Sequence, residues 1–177
     1  MIGRALRVTA VLLAGLGVIS ACGSSDRPKE LSVSDVKPCE LISQSARERL
    51  QVRAQPQSRD AVAEVDTEGS TCYFSPYDRS NVWLSVVTNH GIGRWSGDGP
   101  FDRSKSKEVS RIQGFRTVKV WFDGESPNPD HKCRIYVDVA AGKSLRVQVD
   151  ESFTDEDPST CTTARRFAEA AMQSLAA

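Results

Sequence analysis

Three successive stretches alternate strictly between apolar and polar residues, and no other feature of the chain restricts its fold so tightly. Val118, Val120 and Phe122 alternate with Lys119 and Trp121. Cys133, Ile135, Val137 and Val139 alternate with Arg134, Tyr136 and Asp138. Leu145, Val147 and Val149 alternate with Arg146 and Gln148. A period of two belongs to extended backbone, because successive side chains there point to opposite faces. One apolar and one polar face per strand is the pattern of an antiparallel sheet covered on one side only. Ala140-Ala141-Gly142-Lys143 is short enough to join the last two strands as a hairpin, so the three form a meander. A second hairpin precedes them. Thr71 to Phe74 puts Cys72 and Phe74 on one face, Pro76 to Asn81 makes the turn, and Val82, Leu84 and Val86 alternate with Trp83, Ser85 and Val87.

Helical periods flank the sheet. In Asp35 to Leu50, Pro38 suits a first helical turn and Cys39, Leu41 and Ile42 can face a core. Ser45-Ala46-Arg47-Glu48 has the spacing of a capping box, and a break is expected near Ser43. Near the C-terminus Cys161, Ala164, Ala168, Ala171, Met172 and Leu175 fall on one stripe of a helix, with Asp157 as the expected N-cap and Pro158 at its first position. Carboxylates from Glu151 to Asp157 complement the positive end of that helix. The expected fold is therefore α+β: a single antiparallel sheet of about five strands packed by N- and C-terminal helices. Val52 to Ser70 reads as a loop with room for one short strand. Phe101 to Val109 reads as a short helix or extended segment on the surface. The glycine-rich run from His90 to Gly99 matches neither a dinucleotide fingerprint nor a P-loop, so it is expected to be an exposed turn with Trp95 at its tip.

The first residues carry an address rather than structure. Arg4 and Arg7 precede an apolar run from Val8 to Ile19, too short for a stable membrane span, and small residues then lead to a cysteine. Ile19-Ser20-Ala21-Cys22 is similar to the bacterial lipobox, which implies cleavage between Ala21 and Cys22 and diacylation of the Cys22 thiol. The alternative is an ordinary signal peptide cut near Ala21, with Cys22 incidental. The chain is thus expected to divide into a lipoprotein signal peptide (1–21), a flexible tether (22–34), and one α+β lipoprotein domain (35–177). Basic and acidic residues number 23 each, and removal of the leader leaves 21 against 23. A near-neutral exterior argues against a nucleic-acid partner and against a polybasic membrane patch. Attachment to the membrane is then left to the lipid on Cys22.

Four further cysteines, Cys39, Cys72, Cys133 and Cys161, are an even set in a chain expected to be exported, and two disulfides are the natural reading. Three pairings are possible. The preferred one joins Cys39 to Cys72 and Cys133 to Cys161, because it staples each terminal helix to a nearby strand. A zinc site needs close-spaced ligand pairs, and C-x-x-C is absent.

Tests for reactive chemistry are unrewarding. His90 and His131 are the only histidines, and neither has a second ligand at i, i+4. Ser104-x-x-Lys107 fits a penicillin-binding nucleophile pattern, but its Ser-Asp-Asn and Lys-Thr-Gly partners are missing. No catalytic residue, metal ligand or cofactor is expected. Trp83, Trp121 and Tyr136 are the candidate binding surface, as aromatics on the polar-facing side of the sheet. Covering by the 52–70 loop or the first helix is the plainer account of them.

Five short pieces in a fixed order carry a resemblance: Pro38-Cys39-x-Leu41-Ile42, Cys72-Tyr73-Phe74, Ile112-x-Gly114-Phe115, Cys133-x-Ile135-x-Val137 and Cys161-x-x-Ala164. Together with the lipobox they resemble the actinobacterial lipoprotein family built on domain of unknown function 3558, with Phe74 where that family commonly has Trp. The resemblance implies an exported, lipid-anchored α+β domain with paired cysteines and no established catalytic residues. The expected function is a non-enzymatic lipoprotein of the cell envelope, held on the extracytoplasmic face of the membrane and binding an unknown envelope protein or small ligand. The alternative is an envelope hydrolase whose site is scattered through the sequence.

Overall fold

The computed structural model describes residues 27–64, 66–76, 80–95, 104–125, 131–150 and 159–177. The expected signal peptide with Ala21 and Cys22, and Gly97, Gly99, Asp157 and Pro158, lie outside the described residues. The fold is one antiparallel sheet of seven strands: β1 (Gln57–Arg59), β2 (Gly69–Phe74), β3 (Asn81–Val87), β4 (Ser104–Ile112), β5 (Phe115–Phe122), β6 (Lys132–Ala140) and β7 (Lys143–Asp150). Their order across the sheet is β1-β2-β3-β7-β6-β5-β4, so two meanders meet where β3 pairs with β7. The predicted hairpin is β2–β3, and the predicted three-stranded meander is β5–β6–β7.

The two strands beyond the expected five are the edges. β1 lies in the 52–70 loop and is exposed throughout, and β4 occupies the region read as surface helix or extended segment. An edge strand packs few side chains and blunts its open hydrogen-bonding side with charge. Lys105, Lys107, Glu108 and Arg111 of β4 do this, which is why no apolar alternation announced it.

One face of the sheet carries the larger core. Cys72, Phe74, Val82, Leu84, Val86, Ile135, Val137, Leu145, Val147 and Val149 point into it. Helix α2 (Thr160–Leu175) packs across β6 and β7. Its buried stripe includes the expected Ala164, Ala168, Ala171 and Met172, and also Phe167, whose ring centroid lies 5.4 Å from that of Phe74. Close approach of an alanine stripe leaves room for that one large ring between helix and sheet. The N-cap of α2 is Ser159, whose Oγ accepts from Thr162 N, rather than Asp157. At the other end Pro38 opens a 3-10 turn (Pro38–Glu40), and the expected break falls at Ser43, which caps α1 (Gln44–Arg49) by accepting from Ala46 N at 3.2 Å. The third helical position is Ala46, so the expected Ser45–Glu48 box does not form, and Glu48 accepts from Gln44 Nε2 instead.

Disulfides Cys39–Cys72 and Cys133–Cys161 join the 3-10 turn to β2 and β6 to α2, with Cα separations of 5.0 and 5.1 Å. By chain entropy, loops of this length restrict the unfolded chain by about 3.6 kcal/mol each.

Residues 27–34 do not behave as a tether. Leu31 and Val33 are buried in the larger core, and Leu31 N donates to Val139 O at 2.9 Å. Arg27 donates to both carboxylate oxygens of Asp138 at 2.9 and 2.8 Å, and Glu30 accepts from Ala141 N at 2.8 Å. The two aliphatic positions, Leu31 and Val33, were hidden among the charged and small residues that made the segment look like coil.

The far face of the sheet is covered too, which corrects the one-sided expectation. Ile92 and Trp95 sit three apart on a 3-10 turn (Ile92–Trp95), share one side of it, and pack on Val118, Val120 and Tyr136 with Phe122 at the margin. Trp95 is only 2% exposed, so the described part of the glycine-rich run, His90 to Trp95, does not end in an exposed aromatic tip. The apolar side of β5 faces this second cluster, whereas those of β6 and β7 face the larger core. Gly69 permits the close pairing of β2 on β3: its φ is +140°, and a Cβ there would lie 1.9 Å from Val86 O.

Candidate functional site

The cross-strand register builds a polar cluster on the far face. Tyr136 lies opposite Arg146, and Arg134 opposite Gln148, a pairing set by the β6–β7 turn together with a one-residue irregularity between Asp138 and Ala140. Arg146 is 3% exposed. Its Nε donates to Tyr136 Oη at 3.1 Å, its Nη2 donates to Gln148 Oε1, and its Nε stands 3.4 Å from Glu64 Oε2. Tyr136 Oη donates to Glu64, with its oxygens at 3.1 and 3.0 Å. Burial lifts the Tyr136 phenol well above its ordinary value; the Arg146 charge opposes that shift and the Glu64 carboxylate adds to it.

Arg134 forms the second half. Its Nη1 and Nη2 donate to Glu125 at 2.7 and 3.2 Å, its Nε donates to Gln148 Oε1 at 3.3 Å, and its guanidinium lies 4.6 Å from the Phe122 ring centroid. Burial pushes the Glu125 carboxyl up, but hydrogen bonds from Arg134 and from Phe122 N outweigh it and hold the group below its ordinary value. Lys132 stands 3.9 Å from Asp150. Trp95 closes the wall, its ring 4.9 Å from Tyr136 and 6.3 Å from Phe122.

Together Ala63, Glu64, Trp95, Phe122, Lys132, Arg134, Arg146 and Gln148 line a cavity of about 330 Å³, within the size range of small-molecule sites. Each cation of the lining has a carboxylate neighbour, so the wall is close to neutral and its donors are held in place. A second concavity, about 430 Å³, lies on the opposite face between α2 and the β4–β5 edge, lined by Val109, Lys119, Ile135, Cys161, Arg165 and Glu169 among others. Burial and the neighbouring Lys107 lower the Lys119 ammonium from its ordinary value there.

The expected aromatic platform is not one surface. Trp83 and Tyr136 share the far face, but Trp121 lies on the α2 face beside Lys119, whose Nζ is 6.0 Å from its ring centroid. Tyr136 is buried beneath Trp95 and Glu64, and Trp83 packs on Tyr73 with centroids 5.6 Å apart. Of the three, Tyr136 is covered by Glu64 of the 52–70 segment and by Trp95, while the first helix serves the other face. His90 Nε2 lies 2.7 Å from Asp66 O and does not line the cavity. Lys107 belongs to an extended strand, so the helical turn required by Ser-x-x-Lys chemistry is absent. Among the described residues no group of three or more His, Cys, Asp or Glu is arranged to hold a metal ion, and no helix is long and apolar enough to cross a membrane.

Glu64, Arg134, Arg146 and Gln148 were not singled out from sequence as site residues, and Trp95 was expected at the tip of an exposed turn instead. The signal for three of them was the alternation that puts Arg134, Arg146 and Gln148 on the polar face; the irregularity between Asp138 and Ala140 then sets Arg146 against Tyr136 and Gln148 against Arg134.

Fold and cavity define a disulfide-stapled α+β domain with a charge-paired, aromatic-walled pocket on the sheet face opposite its main helix. The sequence profile of the family described as "Protein of unknown function (DUF3558)" matches residues 19–174, and the chain belongs to that family. No curated protein and no solved structure matches it.

Proposed function

We propose that this protein is a lipoprotein of actinobacterial type, exported and held through acylated Cys22 on the extracytoplasmic face of the cell membrane, where it binds a small ligand without chemical turnover. The observation that carries the binding reading is the preformed cavity beneath Trp95, whose polar groups are already locked to one another. A site organised in this way loses little side-chain entropy on binding. Its wall suits a compact ligand with an apolar side to set against Phe122, and with both donors and acceptors to meet Gln148 and the paired arginines. A free anion would instead need an uncompensated cation. The lipobox supports the anchor, and the two bonded cysteine pairs support an oxidising compartment.

Native mass spectrometry of protein purified gently from its own envelope tests the binding claim. A bound species lost on Ala63→Trp, which fills the cavity from an exposed position, is the expected result. Ligand retained by a folded Ala63→Trp protein, or a wild type that never carries one, refutes the site.

A further inference from the structure

We infer that the end of the domain bearing the β4–β5 turn, the β6–β7 turn and the C-terminus of α2 rests against the outer surface of the lipid bilayer, and that the opposite end of the sheet, with Phe122, Lys132 and Gln148 of the pocket, is held away from it. This rests on lipid attachment at Cys22 and goes beyond it.

The described residues begin at that end. Pro28 lies against Gly114 of the β4–β5 turn, Glu30 accepts from Ala141 N of the β6–β7 turn, and Lys29 Nζ donates to Ala176 O, the C-cap of α2, at 2.6 Å. Arg27 is clamped to Asp138, and Leu31 and Val33 are buried behind it, so residues 27–34 move with the domain. Burial of Arg27 disfavours its charge, but hydrogen bonds to Glu30 and Asp138 outweigh this and raise its pKa, so the clamp stays charged.

Only residues 23–26 separate Cys22 from Arg27. Whatever their conformation, five peptide steps reach no more than about 18 Å. From Ala140, the end of β6 level with the Pro28–Gly114 contact, to Lys132 the strand makes eight residue steps, roughly 27 Å. The leash is therefore shorter than the domain and cannot place the far end on the membrane. That far end holds Lys132, Phe122 and Gln148, three of the pocket's lining residues. Lys29, Arg111 and Lys143 at the near end are accompanied by Glu30, Asp66 and Glu68, so the short leash, not a basic patch, sets the orientation.

The test uses the full-length acylated protein in phosphatidylcholine nanodiscs doped with a headgroup nitroxide lipid, read by amide NMR. Amides of Gly114, Ala141, Gly142 and Ala176 lose intensity while those of Gly124, Glu125, Lys132 and Gln148 keep it. A twenty-residue Gly-Ser insertion after Ser25 lengthens the leash to a coil of roughly 27 Å r.m.s. span and erases the contrast. Equal loss at both ends of the wild type, or loss at the far end, overturns the orientation while leaving the anchor intact. Contrast that survives the insertion overturns the leash as its cause. Protein without acyl mass that stays out of the nanodiscs removes the lipoprotein reading and this inference with it.

Discussion

Replacing Arg146 with Met is the sharpest test of the far-face cluster. The substitution keeps most of the side chain's volume and removes the guanidinium that stands 3.4 Å from Glu64 and accounts for one partner of Tyr136 and one of Gln148. At an effective dielectric near 20, a pair at that separation interacts by about 5 kcal/mol. Breaking a buried pair from one side costs about 3–5 kcal/mol, because the remaining charge keeps its desolvation penalty and loses its compensation. With Glu64 9% exposed and Arg146 3% exposed, Arg146→Met falls in that range. Urea unfolding followed by Trp fluorescence reads it as a midpoint drop of roughly 2 M, for a slope near 2 kcal/mol/M. The same account requires that removing every member together be cheap. The triple variant Glu64→Leu, Tyr136→Phe, Arg146→Met leaves no buried group unpaired within the triad, and it recovers to within about 1 kcal/mol of wild type. An Arg146→Met protein as stable as wild type, or a triple variant less stable than the single one, refutes the reasoning.

Other consequences are independent of that cluster's sign. The paired change Cys133→Ala with Cys161→Ala lowers stability by about 3.6 kcal/mol through the freed loop, and calorimetry showing less than about 1 kcal/mol contradicts it. Gly69→Ala forces a Cβ into the Val86 carbonyl at a φ of +140°, and costs more than about 3 kcal/mol; near-native melting would mean β2 and β3 separate more easily than their register implies. Tyr136 remains protonated in the fold while the unfolded chain loses that proton above about pH 10. Its contribution is therefore complete below that pH and declines as pH rises further, by about 1.4 kcal/mol per unit. Wild type must lose stability between pH 10 and 11 faster than Tyr136→Phe, and parallel curves would rule this out. Changing Cys22 to Ala moves the protein from the membrane fraction to the soluble one, and unchanged sedimentation would end the lipobox assignment.

Much of the main core was legible because its physics is local. Alternation in β6 and β7, the tight turn between them, and the alanine stripe of α2 each follow from backbone periods that neighbouring residues must share. That the four cysteines pair was legible from their even number, but which of the three pairings forms was a preference from sequence, and the structure chose Cys39–Cys72 and Cys133–Cys161. Where signals were polar, sequence failed: β4 is an edge strand of charged residues, and Leu31 and Val33 are two aliphatics in a charged segment. Apolar alternation alone also misassigned β5, for period two says that faces differ but not which face meets which layer.

Sequence by itself determined that this chain builds a twisted antiparallel sheet with paired cysteines and a helix on it, because those requirements are written within single elements. Only tertiary structure decided that the polar face is an interior. Whether Arg134, Tyr136 and Arg146 meet water depends on Glu64 and Trp95, some 40 to 80 residues away in the chain, folding back to supply the counter-charge and the apolar lid. Burial of a charged residue is a property of its partners, and partners are brought together by the fold.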